Sequence, residues 1–589
     1  MTAFNYPDSF DVIVVGGGHA GCEAALASAR LGARTLLVTQ DLDTVAQMSC
    51  NPSIGGVGKG QLVRELDALG GQMGRTADHS MLSGHMLNTS KGAAVRSPRA
   101  QCDKKMYQFA MKAALERQPG LCLVQDEAAQ ILSKGGRAAG LRTVRNTVYR
   151  SKAVVLAAGT FLRGVIHIGM QSFPGGRYNH PPSDALGKNL AELGFRLGRL
   201  KTGTPMRLNG RSIDFSKCER QEPDSPPAPF SHFTGAIRNP QLPCWLTRTS
   251  ARTAAVIQGG LHRSPLYSGK IKSTGPRYCP SIEDKIVKFP HHGAHHLFLE
   301  PEGFDTEEYY VNGLSTSLPE ELQREIVRSV PGLEKAEIVR AAYAIEYDYS
   351  DPGQLDYTLE TRLLPGLYTA GQVNGTTGYE EAAAQGLVAG INAALQTSGR
   401  EPLVLKRDEA YIGVMIDDLV SKGIDEPYRI FTSRAEYRLL LRADNADLRL
   451  APAGFRLGLL DPGLKQNFDA YKASVEAAVA GEKPPAIPEG PWTAESARAT
   501  AAIEKHYAAY VARNRRQAEK MTRLESVRIP DSFSYAAARA LPNEARHKLE
   551  AHRPRTLAQA GRIPGVTPAD VQLLWILLEK RRRKGENHE

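Results

Sequence analysis

The chain has 589 residues, of which 42% are hydrophobic and 23% are charged, and at roughly 150 residues per domain this length allows about four domains. The composition excludes a collagen, a disordered protein and a bundle of membrane-spanning helices. Lys and Arg number 74 against 63 Asp and Glu, so the net charge is +11, which favours a polyanionic partner, either a nucleic acid or an anionic membrane.

The first ten residues contain no basic segment and no apolar run long enough for a secretion signal. No apolar stretch reaches about 18 residues, so we expect no membrane span. The seven cysteines include no C-x-x-C pair, which argues against disulfides and zinc and favours a cytoplasmic protein. The histidines within residues 291–296 have no cysteine or carboxylate at ligand spacing, so we expect a solvated loop and no metal.

A glycine-rich turn follows the first predicted strand. Residues Phe10–Val15 are apolar and β-branched, and they run into the sequence Gly-Gly-Gly-His-Ala-Gly, after which the composition becomes helical. This is the G-x-G-x-x-G pattern in the strand–turn–helix context that binds a dinucleotide. Gly16 permits the tight turn, Gly18 lets the backbone approach a pyrophosphate, and Gly21 lets the helix pack closely on the strand. The helix N-terminus then presents free N–H groups to the phosphates.

The second predicted strand, Thr35–Thr39, ends where dinucleotide folds carry an acid that binds a ribose hydroxyl. Gln40 occupies that position and Asp41 comes one residue later, so the rule is met only approximately. The segment Gly55–Gly60 resembles a P-loop, but Ser53 and Gly60 stand where that motif requires Gly and then Ser or Thr. We therefore expect a flexible loop close to the cofactor and no nucleoside triphosphate site.

Two later strands favour a particular dinucleotide. Ala153–Leu156 is an apolar run that ends in Ala-Ala-Gly-Thr, and residues 366–371 form another strand that ends in glycine. Helix-forming residues follow at Glu380–Ala394. A late strand and helix that return to the first fold are the layout of two-dinucleotide flavoproteins, in which the last helix points at the flavin. FAD is therefore favoured over NAD as the tightly bound cofactor.

These patterns predict an α/β fold: a Rossmann-like, two-dinucleotide-binding flavoprotein domain with an α+β insertion and an all-helical C-terminal region. Helical composition at 464–480 and 493–525, and a final helix from Thr567-Pro568 to about residue 583, support the helical part. The predicted domains are an FAD-binding domain at 1–204 that returns at 341–400, an insertion and possible NAD-binding domain at 205–340, a helical domain at 401–540, and a C-terminal helical partner-docking domain at 541–589.

Two of the cysteines are candidates for chemistry because they lie among loop-forming residues. Cys50 follows Gln-Met-Ser in the loop after the second strand, and Cys279 lies two residues after Arg277, whose charge would favour a thiolate. A buried small hydrophobe is an equally good interpretation of either residue. The remaining cysteines are predicted to be buried hydrophobes: Cys22, Cys102, Cys122, Cys218 and Cys244.

Several long motifs together identify a family. The chain resembles the MnmG/GidA family of tRNA uridine 5-carboxymethylaminomethyl modification enzymes over nearly its full length, with about 464–525 as the least similar stretch. The motifs that carry the resemblance are Gly16–Gly21, Met48–Pro52, Lys201–Pro205, Gly275–Lys285, Tyr343–Asp348, Gly371–Ala382, Thr432–Arg438 and Arg562–Ala569.

The resemblance implies two groups of cofactor-binding residues. FAD contacts fall on Gly16, Gly17, Gly18, His19, Ala20, Gly21, Ala128, Ser183 and Gln372, of which Ala128 and Ser183 are placed by alignment and not by a motif. The family's proposed NAD-binding stretch falls on Gly275, Pro276, Arg277, Tyr278, Cys279, Pro280, Ser281, Ile282, Glu283, Asp284, Lys285, Ile286, Val287, Lys288 and Phe289. Cys279 is thereby given two roles.

The resemblance also implies the reaction and the partners. The family modifies carbon 5 of the wobble uridine of certain tRNAs together with a GTPase partner, MnmE, taking a one-carbon unit from methylene-tetrahydrofolate, an amine from glycine or ammonium and electrons from NADH. We expect a homodimer that binds MnmE through its C-terminal region, within a heterotetramer. Two alternatives stay open: a TrmFO-like folate- and FAD-dependent tRNA uridine methyltransferase, and a flavin-bearing scaffold that binds a partner.

The chemistry requires an activated thiol and a base. A thiolate that adds to carbon 6 of uracil makes carbon 5 nucleophilic, and Cys50 and Cys279 are the catalytic candidates. Candidates for the base that removes the carbon 5 proton are Glu346, Asp348, Glu380 and Glu381, each of which could equally be structural. Candidate contacts to tRNA are Lys201, Arg207, Arg434, Arg438, Arg442 and Arg449.

Overall fold

The first 204 residues build a central sheet around the glycine-rich turn. The computed structural model describes residues 3–278, 280–563 and 565–583. With the strands numbered in chain order, the order in this sheet is β6-β2-β1-β9-β8-β7, and a later strand, β20 (Leu367–Thr369), pairs with β9. The elements in this part are β1 Phe4–Val15, α1 His19–Arg30, β2 Thr35–Thr39, β3 Ser53–Gly55, α2 Lys59–Ala68, α3 Met73–His79, β4 Met81–Leu87, β5 Ser97–Cys102, α4 Lys104–Glu116, β6 Leu121–Gln125, β7 Ala128–Lys134, β8 Arg137–Thr143, β9 Thr147–Leu156, β10 Val165–Ile168, β11 Gln171–Pro174, α5 Asp184–Glu192 and β12 Leu197–Thr204.

The insertion is an antiparallel sheet with helices. Its strand order is β14-β15-β16-β17-β13-β18, so the predicted α+β character is confirmed. The elements are β13 Arg207–Asn209, β14 Glu219–Gln221, β15 Cys244–Arg248, α6 Ala251–Gly260, α7 Ile282–Lys288, β16 His296–Pro301, β17 Glu308–Asn312, α8 Glu320–Arg328 and β18 Ile338–Arg340.

The chain then returns to the first fold. β19 Tyr343–Ser350 lies between β10 and β12 in a four-stranded sheet, β11-β10-β19-β12. β20 Leu367–Thr369 pairs with residues 154–156 of β9, and α9 Tyr379–Thr397 follows it. The predicted late strand and helix are therefore confirmed, with bounds that differ by one to three residues.

Helices dominate the rest of the chain. Residues 423–445 separate the first two of them and carry short 3₁₀ turns at Thr432–Arg434 and Ala443–Asn445. None of the helices described is long and apolar enough to cross a membrane. The helices are α10 Tyr411–Lys422, α11 Ala446–Leu457, α12 Lys465–Ala480, α13 Ala494–Glu525, α14 Asn543–His552, α15 Leu557–Arg562 and α16 Pro568–Arg583.

The C-terminal helices enclose a core of their own. Ile529, Phe533 and Tyr535 pack with Leu549, Leu557 and Leu574 in one buried cluster. The domain boundary predicted at 540/541 falls inside this cluster, because its first members precede residue 541 and its last members follow it. Trp575 and Ile576 of α16 lie on the outside, 44% and 56% exposed.

The register of the central sheet brings the ends of four strands to one edge. Val15 of β1 pairs with Val38 of β2 on one side and with Leu156 of β9 on the other, and Leu156 also pairs with Thr369 of β20. Because these pairings are all parallel, the turns that follow the four strands lie side by side. The predicted cofactor site therefore lies at this edge.

α1 and α9 pack so closely that glycine is required between them. A Cβ on Gly386 would lie 2.0 Å from the carbonyl oxygen of Ala20, and one on Gly390 would lie 2.3 Å from that of Ala24. The Ser28 hydroxyl also donates a hydrogen bond of 2.9 Å to the carbonyl oxygen of Gly390. Both contacts involve backbone atoms, which cannot rotate away as a side chain can.

The segment Gly55–Gly60 is ordered by these elements, so the prediction of a flexible loop is wrong. Gly55 ends β3, and α2 begins at Lys59. The Lys59 ammonium lies 2.8 Å from a Glu380 oxygen and 3.1 Å from a Glu381 oxygen, and the N–H of Gly55 donates to Glu380 at 2.7 Å. Sequence spacing could not reveal this because the partners are more than 300 positions apart.

We predict that Gly390→Ala lowers the free energy of unfolding by about 1–3 kcal/mol, since the added methyl group overfills a backbone contact. Gly259→Ala is the control, because Gly259 lies within α6 and a Cβ there would meet nothing within 4 Å. Urea unfolding followed by circular dichroism measures both. Equal stability of the two variants would contradict the close packing of α1 on α9.

Candidate functional site

The glycine-rich turn forms one wall of a cavity of about 120 Å³ at the carboxyl edge of the sheet. Gly16, Gly17 and Gly18 line it, together with Ala128 and Ser183, the two residues that the resemblance placed by alignment. A groove of about 1240 Å³ adjoins it. The two share Thr44, Gln47, Arg177 and His180 in their walls, so a long ligand can extend from one into the other.

Each glycine of the turn is suited to its position for a different structural reason. Gly16 has φ +104°, and a Cβ there would lie 2.4 Å from the carbonyl oxygen of Ala157. A Cβ on Gly21 would lie 1.7 Å from the carbonyl oxygen of Gly16. A Cβ on Gly18, by contrast, would meet nothing within 4 Å, although Gly18 lies at the N-terminus of α1. The open space at Gly18 therefore fits a phosphate that approaches the helix N-terminus.

The end of β2 contributes both Gln40 and Asp41 to the wall of the smaller cavity, where Asp41 lies 3.7 Å from His180. The Gln40 amide donates to the Ser183 hydroxyl at 3.2 Å, and both residues line the smaller cavity. Asp41 caps the following 3₁₀ turn by accepting from the N–H of Asp43 at 2.8 Å. Gln40 is therefore placed to bind a ribose hydroxyl, which an amide can do without a negative charge.

Two residues of the cavity wall were not found by sequence reasoning. Arg177 and His180 follow β11 and reach the edge of the sheet from about 140 positions along the chain. Burial lowers the pKa of the Arg177 guanidinium, and the ring of Phe161 lies 5.7 Å from its central carbon. The only local signal is the pair Gly175-Gly176 before Arg177, which marks a turn but not its destination.

The first turn of α1 faces the first turn of α9. His19 stacks on Tyr379, with ring centroids 4.4 Å apart, and burial lowers the pKa of His19 to about 4, so its imidazole is neutral. Its Nε2 atom is buried and has no hydrogen-bond partner within the protein part described. Gln372 lies on the loop before α9, where its amide donates to the Tyr347 hydroxyl at 2.9 Å. An unpaired imidazole nitrogen at this edge is consistent with a ligand that supplies the missing partner.

Cys50 lies at the same edge, next to the N-terminus of α9. Its backbone N–H donates to the Tyr379 hydroxyl at 2.8 Å, and its thiol lies 3.2 Å from the Tyr310 hydroxyl and 3.7 Å from the carbonyl oxygen of Gly203. The thiol is partly buried. The structure therefore brings Cys50 beside Tyr379, and Tyr379 stacks on His19 of the glycine-rich turn.

Arg207 fixes the loop that carries Cys50. Its guanidinium donates to the carbonyl oxygens of Ser49 and Cys50 at 3.1 and 3.0 Å. The same guanidinium is buried and pairs with Glu302 at 2.9 Å. Burial alone would lower the pKa of Arg207, but Glu302 raises it above the ordinary value, so the cation is permanent.

The segment 275–289 divides into an exposed loop and a packed helix. Thr274 precedes the loop and accepts from the N–H of Lys201 on β12 at 3.0 Å. Arg277 and Tyr278 are exposed, whereas Ile282, Glu283 and Ile286 of α7 are buried. Cys279 lies outside the described residues, so the prediction for it stays a prediction.

The other cysteines match their prediction only in part. Cys22, Cys102 and Cys244 are buried, and burial raises the pKa of all three thiols, to about 12 for Cys102 and Cys244. Cys218 is half-buried, and Cys122 is exposed, so the prediction of a buried residue is wrong for Cys122. Cys122 lies on β6, the edge strand of the central sheet, where alternate side chains face solvent.

The four candidate bases are all engaged by other groups. Burial would raise the pKa of Glu346, but hydrogen bonds from His167 and Ser273 lower it to about 2. Asp348 accepts from Arg163 and Arg199, at 2.6 and 2.7 Å. Glu380 and Glu381 share Lys59, as described above. Each of the four carboxylates therefore joins separate segments of the site through these contacts.

Most of the candidate tRNA contacts are also engaged. Arg442 is fully buried against Asp444 and Glu504, at 3.0 and 2.5 Å, and Arg449 pairs with Glu65 at 3.1 Å. Lys201 is buried, and Arg207 holds the Cys50 loop. Arg434 is half-buried and donates to the carbonyl oxygen of Arg429 at 3.0 Å, whereas Arg438 is exposed.

A third cavity, of about 430 Å³, lies beside the Gly371–Ala382 segment. Ile424 in its wall lies 1.9 Å from where a Cβ on Gly375 would stand, and Tyr428 exchanges backbone hydrogen bonds with Gly375 and Thr377. Its lining is strongly charged: Thr274, Arg277, Asp418, Lys422, Gly423, Ile424, Asp425, Glu426, Tyr428 and Arg434. Within the part of the chain that the structure describes, no group of three or more His, Cys, Asp or Glu side chains is arranged to hold a metal ion.

Comparison with known proteins agrees with this arrangement along the whole chain. The family described as "Glucose inhibited division protein A" matches residues 11–401, and the "tRNA modifying enzyme MnmG/GidA C-terminal helical bundle" matches residues 517–589. The chain is 50% identical to the "tRNA uridine 5-carboxymethylaminomethyl modification enzyme MnmG" of Geotalea uraniireducens, over 98% of this chain and 99% of that protein. The protein of the same name from Geobacillus thermodenitrificans is also 50% identical, over 98% of each chain.

A solved structure supports the same assignment. The structure of Aquifex aeolicus GidA in its form II crystal matches with a TM-score of 0.88 and 47% identity, over 97% of this chain and 99% of that one. The two family regions and the full-length similarity include the glycine-rich turn, Cys50, Gln372 and the C-terminal helices. The chain therefore belongs to the GidA family, which is also called MnmG.

Proposed function

We propose that this chain is the FAD-dependent enzyme that modifies carbon 5 of the wobble uridine of certain tRNAs, adding an aminomethyl or carboxymethylaminomethyl group. Proteins of the GidA family are FAD-dependent, and the relatives named above are tRNA uridine modification enzymes. The observation that carries the proposal is the position of Cys50. Its thiol lies beside the N-terminus of α9, at the sheet edge that also holds the glycine-rich turn and Gln372.

The residues at this edge fit a dinucleotide flavin. Gly16 to Gly18 and the N-terminus of α1 would hold the pyrophosphate, with Gln40 and Ser183 at a ribose and Ala128 in the cavity wall. The free Nε2 of the neutral His19 would bind the cofactor at the first turn of α1. When bound, the flavin supplies the redox chemistry, and the protein supplies position and electrostatics.

Cys50 would act as the nucleophile toward the uracil ring. Its thiolate adds to carbon 6, and the carbon 5–carbon 6 π electrons move to form an enolate at the carbon 4 carbonyl. Carbon 5 then attacks the methylene carbon of methylene-tetrahydrofolate as one of its carbon–nitrogen bonds breaks toward nitrogen, and the amine later displaces the remaining folate nitrogen. Loss of the carbon 5 proton and expulsion of the thiolate then restore the ring. Arg207 keeps the Cys50 loop in place through two carbonyl oxygens, and Tyr310 provides a hydroxyl at 3.2 Å that can donate to the sulfur.

The co-substrates follow the family. We propose methylene-tetrahydrofolate as the one-carbon donor, glycine or ammonium as the amine and NADH as the reductant. The segment 275–289 remains the candidate for NADH binding, and Cys279 remains the second candidate thiol. The large groove next to the cofactor cavity provides room for a co-substrate.

The C-terminal helices would dock the GTPase partner, MnmE. The exposed pair Trp575 and Ile576 lies on α16, whereas Leu574 and Leu578 of the same helix are buried in the bundle core. Two adjacent large apolar side chains on an otherwise charged surface are typical of a protein contact. A homodimer within a heterotetramer, in the cytoplasm, is the assembly that we propose.

The alternatives are less well supported. A TrmFO-like methyltransferase lacks a long helical C-terminal region, and here the C-terminal bundle matches over residues 517–589. A scaffold that only binds a partner would not need a partly buried thiol held by three separate segments at the cofactor edge.

We predict that Gly18→Ala weakens FAD binding by roughly 5- to 150-fold, which corresponds to about 1–3 kcal/mol of overpacking against a phosphate. The fold should be unchanged, because the new methyl group meets no protein atom within 4 Å. Flavin absorbance after dialysis against known FAD concentrations measures the affinity. Normal FAD affinity would contradict the proposed pyrophosphate position, and Gly259→Ala serves as the control.

We predict that Cys50→Ser lowers wobble-uridine modification by more than about 100-fold, since the hydroxyl is a far weaker nucleophile than a thiolate. Nucleoside analysis of tRNA from cells that carry the variant measures the modification, and FAD content should stay normal. Cys122→Ser is the matched control, because Cys122 is exposed on β6, an edge strand of the central sheet. Unchanged modification in both Cys50→Ser and Cys279→Ser would remove the thiol mechanism.

We predict that the double change Trp575→Ala with Ile576→Ala lowers modification in cells at least about tenfold, the loss expected for a truncated interface anchor. FAD content and affinity for tRNA should not change, since the core residues Leu574 and Leu578 are kept. Tyr510→Ala, which removes another exposed aromatic side chain from α13, is the control. Full modification in the double variant would argue that the partner docks elsewhere.

A further inference from the structure

We propose that Tyr278 and Phe431, with Arg277 from the wall of the 430 Å³ cavity, form a platform on which the base next to the wobble uridine stacks. This inference rests on the proposed tRNA function and adds the place where the anticodon loop is held. It assigns Arg277 and Tyr278 to RNA and leaves the rest of the segment 275–289 as the candidate for NADH binding.

The platform consists of two aromatic rings from distant parts of the chain. The ring centroids of Tyr278 and Phe431 are 4.3 Å apart, and their planes are inclined by 52°. Tyr278 nevertheless remains 51% exposed, and Phe431 is only half-buried. Exposed aromatic faces of this kind are the surfaces on which unpaired bases stack, irrespective of their sequence.

The cavity wall contains one cation, Arg277, that forms no ion pair within the described part of the chain. Lys422 pairs with Asp418 at 2.6 Å, and Arg434 lies 3.7 Å from the same carboxylate while donating to the carbonyl oxygen of Arg429. Arg277 forms no ion pair or hydrogen bond with the residues described, and its guanidinium carbon lies 5.9 Å from the centre of the Tyr278 ring. An exposed guanidinium next to a stacking surface is suited to a backbone phosphate.

The loop that carries Tyr278 and the loop that carries Cys50 both contact β12. The backbone N–H of Lys201 on β12 donates to Thr274, three residues before Arg277, and Gly203 on the same strand lies 3.7 Å from the Cys50 thiol through its carbonyl oxygen. Two residues along a strand span about 7 Å. Thr274, at the start of the loop that carries Tyr278, and the Cys50 thiol therefore contact the same strand at positions two residues apart.

A nicotinamide dinucleotide is a poorer match to the same surface. Its pyrophosphate would need helix N-terminal N–H groups, as at α1. The helix that follows here, α7, has only seven residues and carries Glu283 and Asp284 in its first turn. The Ser281 hydroxyl already accepts from the N–H of Asp284 at 3.2 Å. Glu283 is buried and Asp284 pairs with Lys288 at 2.9 Å, so these side chains and Ser281 already occupy the helix end, and the exposed Arg277 suits a single phosphate better than a pyrophosphate.

The test uses the FAD-loaded full-length protein and an anticodon stem-loop RNA with 2-aminopurine next to the wobble position. Stacking on an aromatic ring quenches the fluorescence of this base, and the same titration gives Kd. We expect Tyr278→Ala to raise Kd by about 5- to 150-fold and to abolish the quenching change, since one stacked base is lost. Tyr278→Phe keeps the ring and should bind within about twofold of the unchanged protein.

Two further variants separate stacking from charge. Arg277→Ala should raise Kd and reduce the slope of log K against log salt by about 0.7 to 0.9, the contribution of one phosphate. Phe109→Ala, which removes an aromatic side chain that is 63% exposed on α4, should change neither quantity. FAD absorbance and the thermal midpoint establish that each variant is folded.

Three outcomes would overturn the platform. Equal Kd and quenching in Tyr278→Ala and the unchanged protein would show that no base stacks there. A variant that binds RNA normally but is reduced more slowly by NADH would assign Tyr278 to the reductant instead. Failure of the unchanged protein to bind the RNA at low salt would contradict the proposed tRNA function itself, and the platform with it.

Discussion

The approach of α9 to α1 is the constraint on which the rest of the structure depends. Gly386 and Gly390 let the two helices touch through backbone atoms near Ala20 and Ala24. Because both helices begin at the same edge of the sheet, this contact sets the spacing between their N-termini. His19 and Tyr379 stack across that gap, and the Tyr379 hydroxyl accepts from the N–H of Cys50. A change of one methyl group between the helices would therefore move the thiol relative to the cofactor turn.

Buried ion pairs hold the loops of this edge in place. Lys59 joins the start of α2 to Glu380 and Glu381 of α9, and Arg207 joins the Cys50 loop to Glu302 of the insertion. Burying charges of this kind gives little net stability, because desolvation offsets much of the attraction. Their directional hydrogen bonds instead select one arrangement, and loss of either partner leaves an uncompensated buried charge. This explains why a loop rich in glycine, 55–60, is ordered.

The sequence predicted the parts of the site that are encoded locally. The turn at 16–21, β2 and the late return through β20 and α9 follow from glycine spacing and apolar runs, which act over a few residues. Arg177, His180 and Tyr310 could not be predicted, because they reach the site through pairing between distant segments. Among the candidate bases and basic residues, composition could not distinguish exposed groups from the buried Arg442 and the half-buried Glu346, both of which are paired.

The net charge of +11 does not measure the surface available to RNA. Arg207, Arg407 and Arg442 are buried beside carboxylates 2.5 to 3.0 Å away, so their fields largely cancel at the protein surface. A polyanion responds instead to exposed cations that form no ion pair, and Arg277 forms none with the residues that the structure describes. Because counterion release counts only the phosphates that are contacted, the salt dependence of RNA binding reports these few residues and not the overall surplus. Specificity must then come from the aromatic platform and from the shape of the cavity beside it, since phosphate contacts carry no sequence information directly.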